Sequence, residues 1–345
     1  MWLRDTFVVV CVVCASGAEW PLKEAAARDL WSNETLSFSA AVAAGKDTCN
    51  PGNTDLSTPD GNVQYFGWWA GSDGHGMGLA YSNVYFDSSS LPGAFLHPSS
   101  PLWDSQCGNG KLKCMPRLDD YWDNFQLAAD YKKRWAAAAP TWIKYQREGK
   151  LLGFLLGDEL QRRGASRQSI IDMAAEVRKT FPKGTAIIWI SDTMSPPLPP
   201  DIDWWSSDVY RTSPDFIKMR DCSFVEQQMK PLWNAMPVSG DQKWVVVPGA
   251  FEDPSYLGGC SEDDYWRGLR NDFACVTQWA NSDPRVAAVF PFMFSNAAPL
   301  TGMASYWNNY PGLAGEAWAV MAGYAQKIQA KGFPPMPPAP NQTAA

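Results

Sequence analysis

Residues 151–160 read "LLGFLLGDEL": two leucines, glycine, phenylalanine, two leucines and glycine, then Asp158, Glu159 and Leu160. A continuous apolar run of this length suits a strand buried on both faces, as in a parallel sheet. Such a strand delivers the two adjacent carboxylates at its C-terminal end. Strand alternation places Gly153, Leu155, Gly157 and Glu159 on one face. The glycine just below Glu159 is then expected to leave room for a ligand ring. The competing reading is that Asp158 and Glu159 only favour the start of a following helix, where acidic groups meet the positive end of the helix dipole.

Similar short apolar runs recur along the chain at 185–191, 202–209, 243–248 and 286–293. Between them lie helical patterns with start signals. Ser166 precedes a stretch in which Ile170, Ala174 and Val177 recur at helical spacing. Ser213-Pro214 reads as an N-cap with proline at the first helical position. Ser261-Glu262-Asp263-Asp264 reads as a capping box. Strands alternating with helices argue for βα units. Upstream, 62–69 and 81–86 read as strands, and the periodic Tyr121, Phe125, Ala128, Tyr131 and Trp135 predict a helix over 119–148 that Pro140 should kink or split. One strand is then missing, expected between Asp87 and Cys107. These elements predict an α/β fold, a (β/α)8 TIM barrel whose third βα unit is degenerate. The barrel is assigned to 61–332, after a signal peptide (1–18) and an N-terminal extension (19–60). A proline-rich tail (333–345) follows.

Composition narrows the function. The 345 residues are 46% hydrophobic and carry a formal net charge of -7, with a pI near 5.0. No basic block is present, which argues against nucleic acid, whose affinity comes largely from Lys and Arg on phosphates. The N-terminus places Arg4 before a short apolar run, Phe7 to Cys14, then small residues at 15–18. That is the pattern of a secretory signal, too short to span a bilayer. Secretion makes sense of the cysteines. Six remain after the signal: Cys49, Cys107, Cys114, Cys222, Cys260 and Cys275. An even number in an oxidising compartment points to disulfides. Cys107 and Cys114 close the loop "CGNGKLKC" and form the best local pair. Cys260 and Cys275 flank an expected helix and stand too far apart to bond each other. No CxxC spacing occurs past the signal and only His75 and His97 are present, so no metal is expected. No cofactor is expected either: "GSDGHGMG" (71–78) lacks phosphate-loop spacing. Two sequons, at Asn33 and Asn341, fit a glycoprotein surface.

In a parallel barrel, working residues sit at the C-terminal ends of strands. Those ends carry Asp158 and Glu159, then Asp192, then Asp208 and Tyr210, then Glu252 and Asp253, then Asn296. Carboxylates, a tyrosine and an amide thus gather with no histidine among them. "GFLLGDEL" at a fourth strand, with a second acidic residue after a seventh, resembles the clan A glycoside hydrolases. The resemblance covers roughly residues 60–330. It implies a TIM barrel with an acid/base carboxyl after strand four, here Glu159, and a nucleophile after strand seven, here Glu252. Asp158 stands where that family usually has asparagine, and Glu252 lies four residues past Pro248. Asp158, Asp208 and Tyr210 are the expected supporting groups. Trp68, Trp189, Trp205 and Asn296 are the candidate substrate contacts, an oligo- or polysaccharide being the partner. The tryptophans also have a plain reading as core. The alternative function is a barrel without catalysis that serves as a carbohydrate-binding or surface protein.

Overall fold

The computed structural model describes residues 61–69, 81–86, 107, 112–192, 197–207, 222, 225–235, 238–252, 261–293, 301–303 and 313–335. Among them, six strands form one parallel sheet: β1 (Tyr65–Phe66), β6 (Gly153–Asp158), β7 (Ile187–Ser191), β8 (Trp204–Ser206), β9 (Lys243–Val246) and β11 (Val286–Val289), in the order β1-β11-β9-β8-β7-β6. Every one but β1 grows from an apolar run in which both faces are buried, as a parallel sheet requires. A second parallel pair joins β2 (Val84–Phe86) to β3 (Lys113–Met115).

Hydrogen bonds tie this pair to both edges of the larger sheet. Cys114 N–H donates to Lys150 O at 2.8 Å, and Leu152 N–H to Cys114 O at 2.8 Å. On the other side Asn83 N–H donates to Phe66 O at 2.9 Å. The Asn83 side chain completes the seam, accepting from Phe66 N–H at 2.8 Å and donating to Gln64 O at 2.8 Å.

The interval in which the sequence pattern expected a further strand, 87–106, lies outside the described residues; β3 follows it. It is only three residues long, and its middle residue, Cys114, is disulfide-bonded to Cys107 with Cα atoms 5.6 Å apart. The helix expected over 119–148 is also redistributed. Residues 119–121 make a 3-10 turn. Strands β4 (Trp122–Asp123) and β5 (Gln126–Leu127) make a two-residue hairpin, and the helix α1 spans only Tyr131–Arg147. Periodic Tyr121, Phe125 and Ala128 mimic a helix, but Trp122 Nε1 is committed to Leu156 O at 2.9 Å and holds the hairpin against β6. Pro140 neither splits nor ends α1. One lost N–H bond is outweighed by the burial of Trp135, Ala139, Trp142 and Tyr145 on that helix.

The later helices start where their caps predict. The Ser166 hydroxyl caps α2 (Arg167–Thr180) by accepting from Ser169 N–H at 3.0 Å. Ser261 and Asp264 form the capping box of α4 (Glu262–Ser282). Ser213-Pro214 lies outside the described residues. A π-helical turn at 225–229 leads into α3 (Lys230–Ala235), and α5 (Leu313–Lys331) closes the order. Cys275 lies inside α4, not beyond it, and bonds Cys222 across 53 residues of chain with Cα atoms 5.2 Å apart. Chain entropy alone assigns such a loop about 4 kcal/mol, against roughly 2 kcal/mol for the short Cys107 loop.

Two apolar clusters form the core. One packs helices on strands, with Trp135, Phe154, Ile190, Trp205, Trp244 and Phe273 among its members. The other draws at least one residue from each parallel strand and none from a helix: Tyr65, Phe86, Met115, Leu155, Trp189, Trp204, Val245 and Ala288, together with Trp69 and Phe290. Gly153 shows how tightly β6 and β7 approach: a Cβ there would fall 2.1 Å from Ile187 O. None of the described helices is long and apolar enough to cross a membrane.

Candidate active site

Strand β6 ends by breaking its own alternation. Its pairing with β7 slips between Leu155 and Asp158, so that Asp158 stands opposite Ser191. Glu159 follows with φ of 52°, a left-handed conformation uncommon for a residue with a side chain. Its N–H still reaches Ser191 O at 2.8 Å. The turn at 160–164 is held by Asp192, whose buried carboxylate accepts from Gln161 N–H. The room expected beside Gly157 is already filled: a Cβ at that position would meet the buried Leu160 side chain at 2.8 Å.

The two carboxylates meet different surroundings. Glu159 Oε1 accepts from Arg162, and Oε2 lies 3.5 Å from Arg163. Asp158 is partly buried, its side chain 20% exposed, and its nearest cation is Arg163 at 3.9 Å. Asp158 Oδ1 is buried with no hydrogen-bond partner. Burial is the main reason its carboxyl is pushed up from 3.8 to about 6; the Arg117 and Arg163 charges oppose the rise, and the Glu159 and Asp119 charges add to it. Asp119, bonded to Arg117 at 2.9 Å, is likewise held above the ordinary aspartate value by burial, with the Arg117 charge pulling the other way. The end of β6 is thus a knot of three carboxylates (Asp119, Asp158, Glu159) and three guanidinium groups (Arg117, Arg162, Arg163). Within it burial raises the Asp158 carboxyl to about 6, and Glu159 faces two guanidinium groups.

The other expected residues fall in three places. Glu252 is the second residue of β10 (Phe251–Glu252), whose backbone pairs antiparallel with β12 (Thr301–Gly302). Asp208, Tyr210, Asp253 and Asn296 lie outside the described residues, as do the "GSDGHGMG" loop and both sequons. The tryptophans are core, which corrects their assignment as substrate contacts. Trp189 and Trp205 are 0% exposed and Trp68 is 2% exposed, leaving no ring face for a ligand. Trp189 packs on Trp69, Phe86 and Phe290 and donates to Ser206 Oγ at 2.9 Å. Trp205 donates to Asp192 O at 2.8 Å, and Trp68 stacks on Trp318. A residue type that stacks on sugars also fills the inside of a sheet, and here packing claimed it.

The sequence pattern did not single out the arginines. Arg162 and Arg163 stand three and four residues after Glu159, the spacing at which side chains meet on one helical turn. That signal was legible. Arg117 was not, since it arrives from the end of the third strand, which the sequence did not reveal. Among the described residues no group of His, Cys, Asp and Glu is arranged to hold a metal ion.

No protein-family model and no curated protein matches the chain. Solved structures give a distant likeness. A glycoside hydrolase family 17 β-1,3-glucanosyltransferase from Rhizomucor miehei is 12% identical at a TM-score of 0.41, covering 62% of this chain and 76% of that one. A glycoside hydrolase family 113 β-mannanase from Alicyclobacillus acidocaldarius, in complex with ManMIm, is 13% identical at 0.42, covering 80% of this chain and all of the other. Likeness at this level carries no argument about activity, so a functional reading must stand on this chain's own residues.

Proposed function

We propose that the chain is a secreted glycoside hydrolase on a closed (β/α)8 barrel, cleaving O-glycosidic bonds by a two-carboxylate retaining mechanism. Closure is supported by the hydrogen bonds from β3 to β6 and from β2 to β1, which join the two parallel sheets at both edges. The helix-free cluster fed by all eight parallel strands is what the packed interior of such a barrel looks like. Secretion is supported by the signal-like pattern at 1–18 and by two disulfides.

The observation that carries the chemical reading is the carboxyl pair at the C-terminal end of β6. In it, Glu159 is the acid/base and protonates the leaving oxygen. Glu252, on β10 beyond the end of β9, attacks the anomeric carbon. Water then resolves the glycosyl-enzyme with Glu159 acting as base. Retaining pairs of this kind stand about 5–5.5 Å apart. Asp158, its carboxyl raised to about 6 by burial, is the supporting group beside it.

The test is a panel of aryl glycosides and polysaccharides run on wild type and Glu159→Gln. Substrates with poor leaving groups should lose roughly 10²- to 10⁴-fold, the usual share of a general acid. Activated aryl glycosides, which need no proton, should lose far less. Equal loss on both kinds removes Glu159 from the acid role. One observation favours the second reading, a carbohydrate-binding barrel without catalysis: both oxygens of Glu159 face arginines. Saccharide binding without turnover by the correctly folded wild type selects that reading.

A further inference from the structure

The hairpin from Trp122 to Leu127 turns on Asn124 and Phe125, with φ of 50° and 63°. Two consecutive left-handed residues make the mirror-image turn that suits a two-residue hairpin, and its second position ordinarily goes to glycine. Here it holds phenylalanine, whose side chain disfavours that conformation. Phe125 is also the one exposed large apolar side chain among the described residues, at 38%. The chain thus accepts a strained backbone in order to hold an aromatic ring in water. A solitary exposed ring needs no explanation, but a strained one beside a cluster of charged side chains does.

Its location supplies that explanation. Arg163 lies over the Phe125 ring, 5.3 Å from its centroid, and the same guanidinium approaches Glu159 at 3.5 Å and Asp158 at 3.9 Å. Gln126 donates to Gly164 O at 2.9 Å, fastening the hairpin to the turn that carries those carboxylates. The ring is therefore fixed at the edge of the candidate active site, backed by a cation and 38% exposed.

We propose that Phe125 is a saccharide-stacking platform, binding the C–H face of a pyranose ring of the substrate next to the bond that Glu159 protonates. This role rests on the carbohydrate reading of the site. It belongs to the hairpin ring and not to Trp68, Trp189 or Trp205, because those three are buried while Phe125 is 38% exposed.

The experiment compares wild type, Phe125→Gly and Phe125→Trp, titrated with neutral oligosaccharides of at least four units and monitored by ligand-observed NMR. Melting temperature is recorded alongside. Glycine suits the turn, so Phe125→Gly should melt at or above the wild-type temperature. It should bind oligosaccharide roughly tenfold more weakly, the scale of one lost aromatic contact. Phe125→Trp should restore the affinity, and in wild type the Phe125 ring protons should show saturation transfer to the sugar. Equal affinity for wild type and Phe125→Gly overturns the platform while leaving the carbohydrate reading intact. Absence of saccharide binding by the folded wild type overturns both.

Discussion

The two ends of the parallel strands differ in how they treat their polar groups. At the N-terminal end, Arg178 between α2 and β8 bonds Asp203 and donates to Asp201 O, Phe181 O and Ala186 O, at 3.1, 3.3 and 2.8 Å. Asp203 also accepts from Ile188 N–H at 2.7 Å. The buried Gln242 donates to both Pro199 O and Ile202 O. Arg285 is gripped by Asp283 and lies 4.0 Å over the Trp244 ring. At the C-terminal end, Asp158 keeps a buried oxygen without a partner, Glu159 and Phe125 adopt left-handed backbones, and Trp69 Nε1 is buried without a hydrogen bond. Buried polar groups are normally satisfied; Gln146 Oε1 and Asn281 Nδ2 at the N-terminal end are orphaned too, but only at the C-terminal end does an orphaned carboxylate oxygen coincide, among the described residues, with left-handed non-glycine backbone, which marks where stability has been given up. That is the end at which barrel enzymes work.

Substitutions at the two ends should accordingly move stability in opposite directions. The larger effect belongs to the paired end. Arg178→Met strands Asp203 and three carbonyls, and should lower the free energy of unfolding by about 3 kcal/mol in denaturant titration. A loss below about 1 kcal/mol would mean that the paired end is no better satisfied than the other.

The smaller effect belongs to Asp158. Its carboxyl is raised from 3.8 to about 6, so protonation stabilises the fold fully below pH 3.8 and that contribution fades as pH climbs through 6. Asp158→Asn mimics the protonated form. It should melt with wild type near pH 4 and gain on the order of 2 kcal/mol over it at pH 7.5. A variant less stable than wild type at pH 7.5 would show that Arg117 and Arg163 fully compensate the ionised Asp158, and the contrast between the ends would fade.

Most of the scaffold was legible because burial on both faces leaves a simple mark. The runs at 151–157, 185–191, 243–248 and 286–293 each contain a strand, and the Ser166 and Ser261 caps each start a helix. Where the sequence misled, a long-range contact had overridden a local pattern. The 119–148 periodicity was interrupted by a hairpin that Trp122 anchors to Leu156. Strand β3 was three residues of no distinctive pattern, held by its neighbours and by a disulfide. At the candidate site, the sequence pointed to the end of β6 but did not single out the arginines that surround it there. Gly157 suggested a cavity that Leu160 occupies. The tryptophans suggested a sugar-lined surface and turned out to be core. The arginines around Glu159, two of them spaced along one helical turn and one contributed by a distant strand, needed coordinates to be seen together.

The central claim is that the C-terminal end of the sheet, where Asp158 and Glu159 sit, is a retaining two-carboxylate site. It is tested most directly by incubating the protein with 2-deoxy-2-fluoroglycosides, which slow release of a glycosyl-enzyme, and locating the adduct by peptide mass spectrometry. The account predicts one glycosyl unit per chain, on the peptide carrying Glu252 and absent from Glu252→Gln. Turnover of a glycoside with inverted stereochemistry, or an adduct on any other residue, would contradict it.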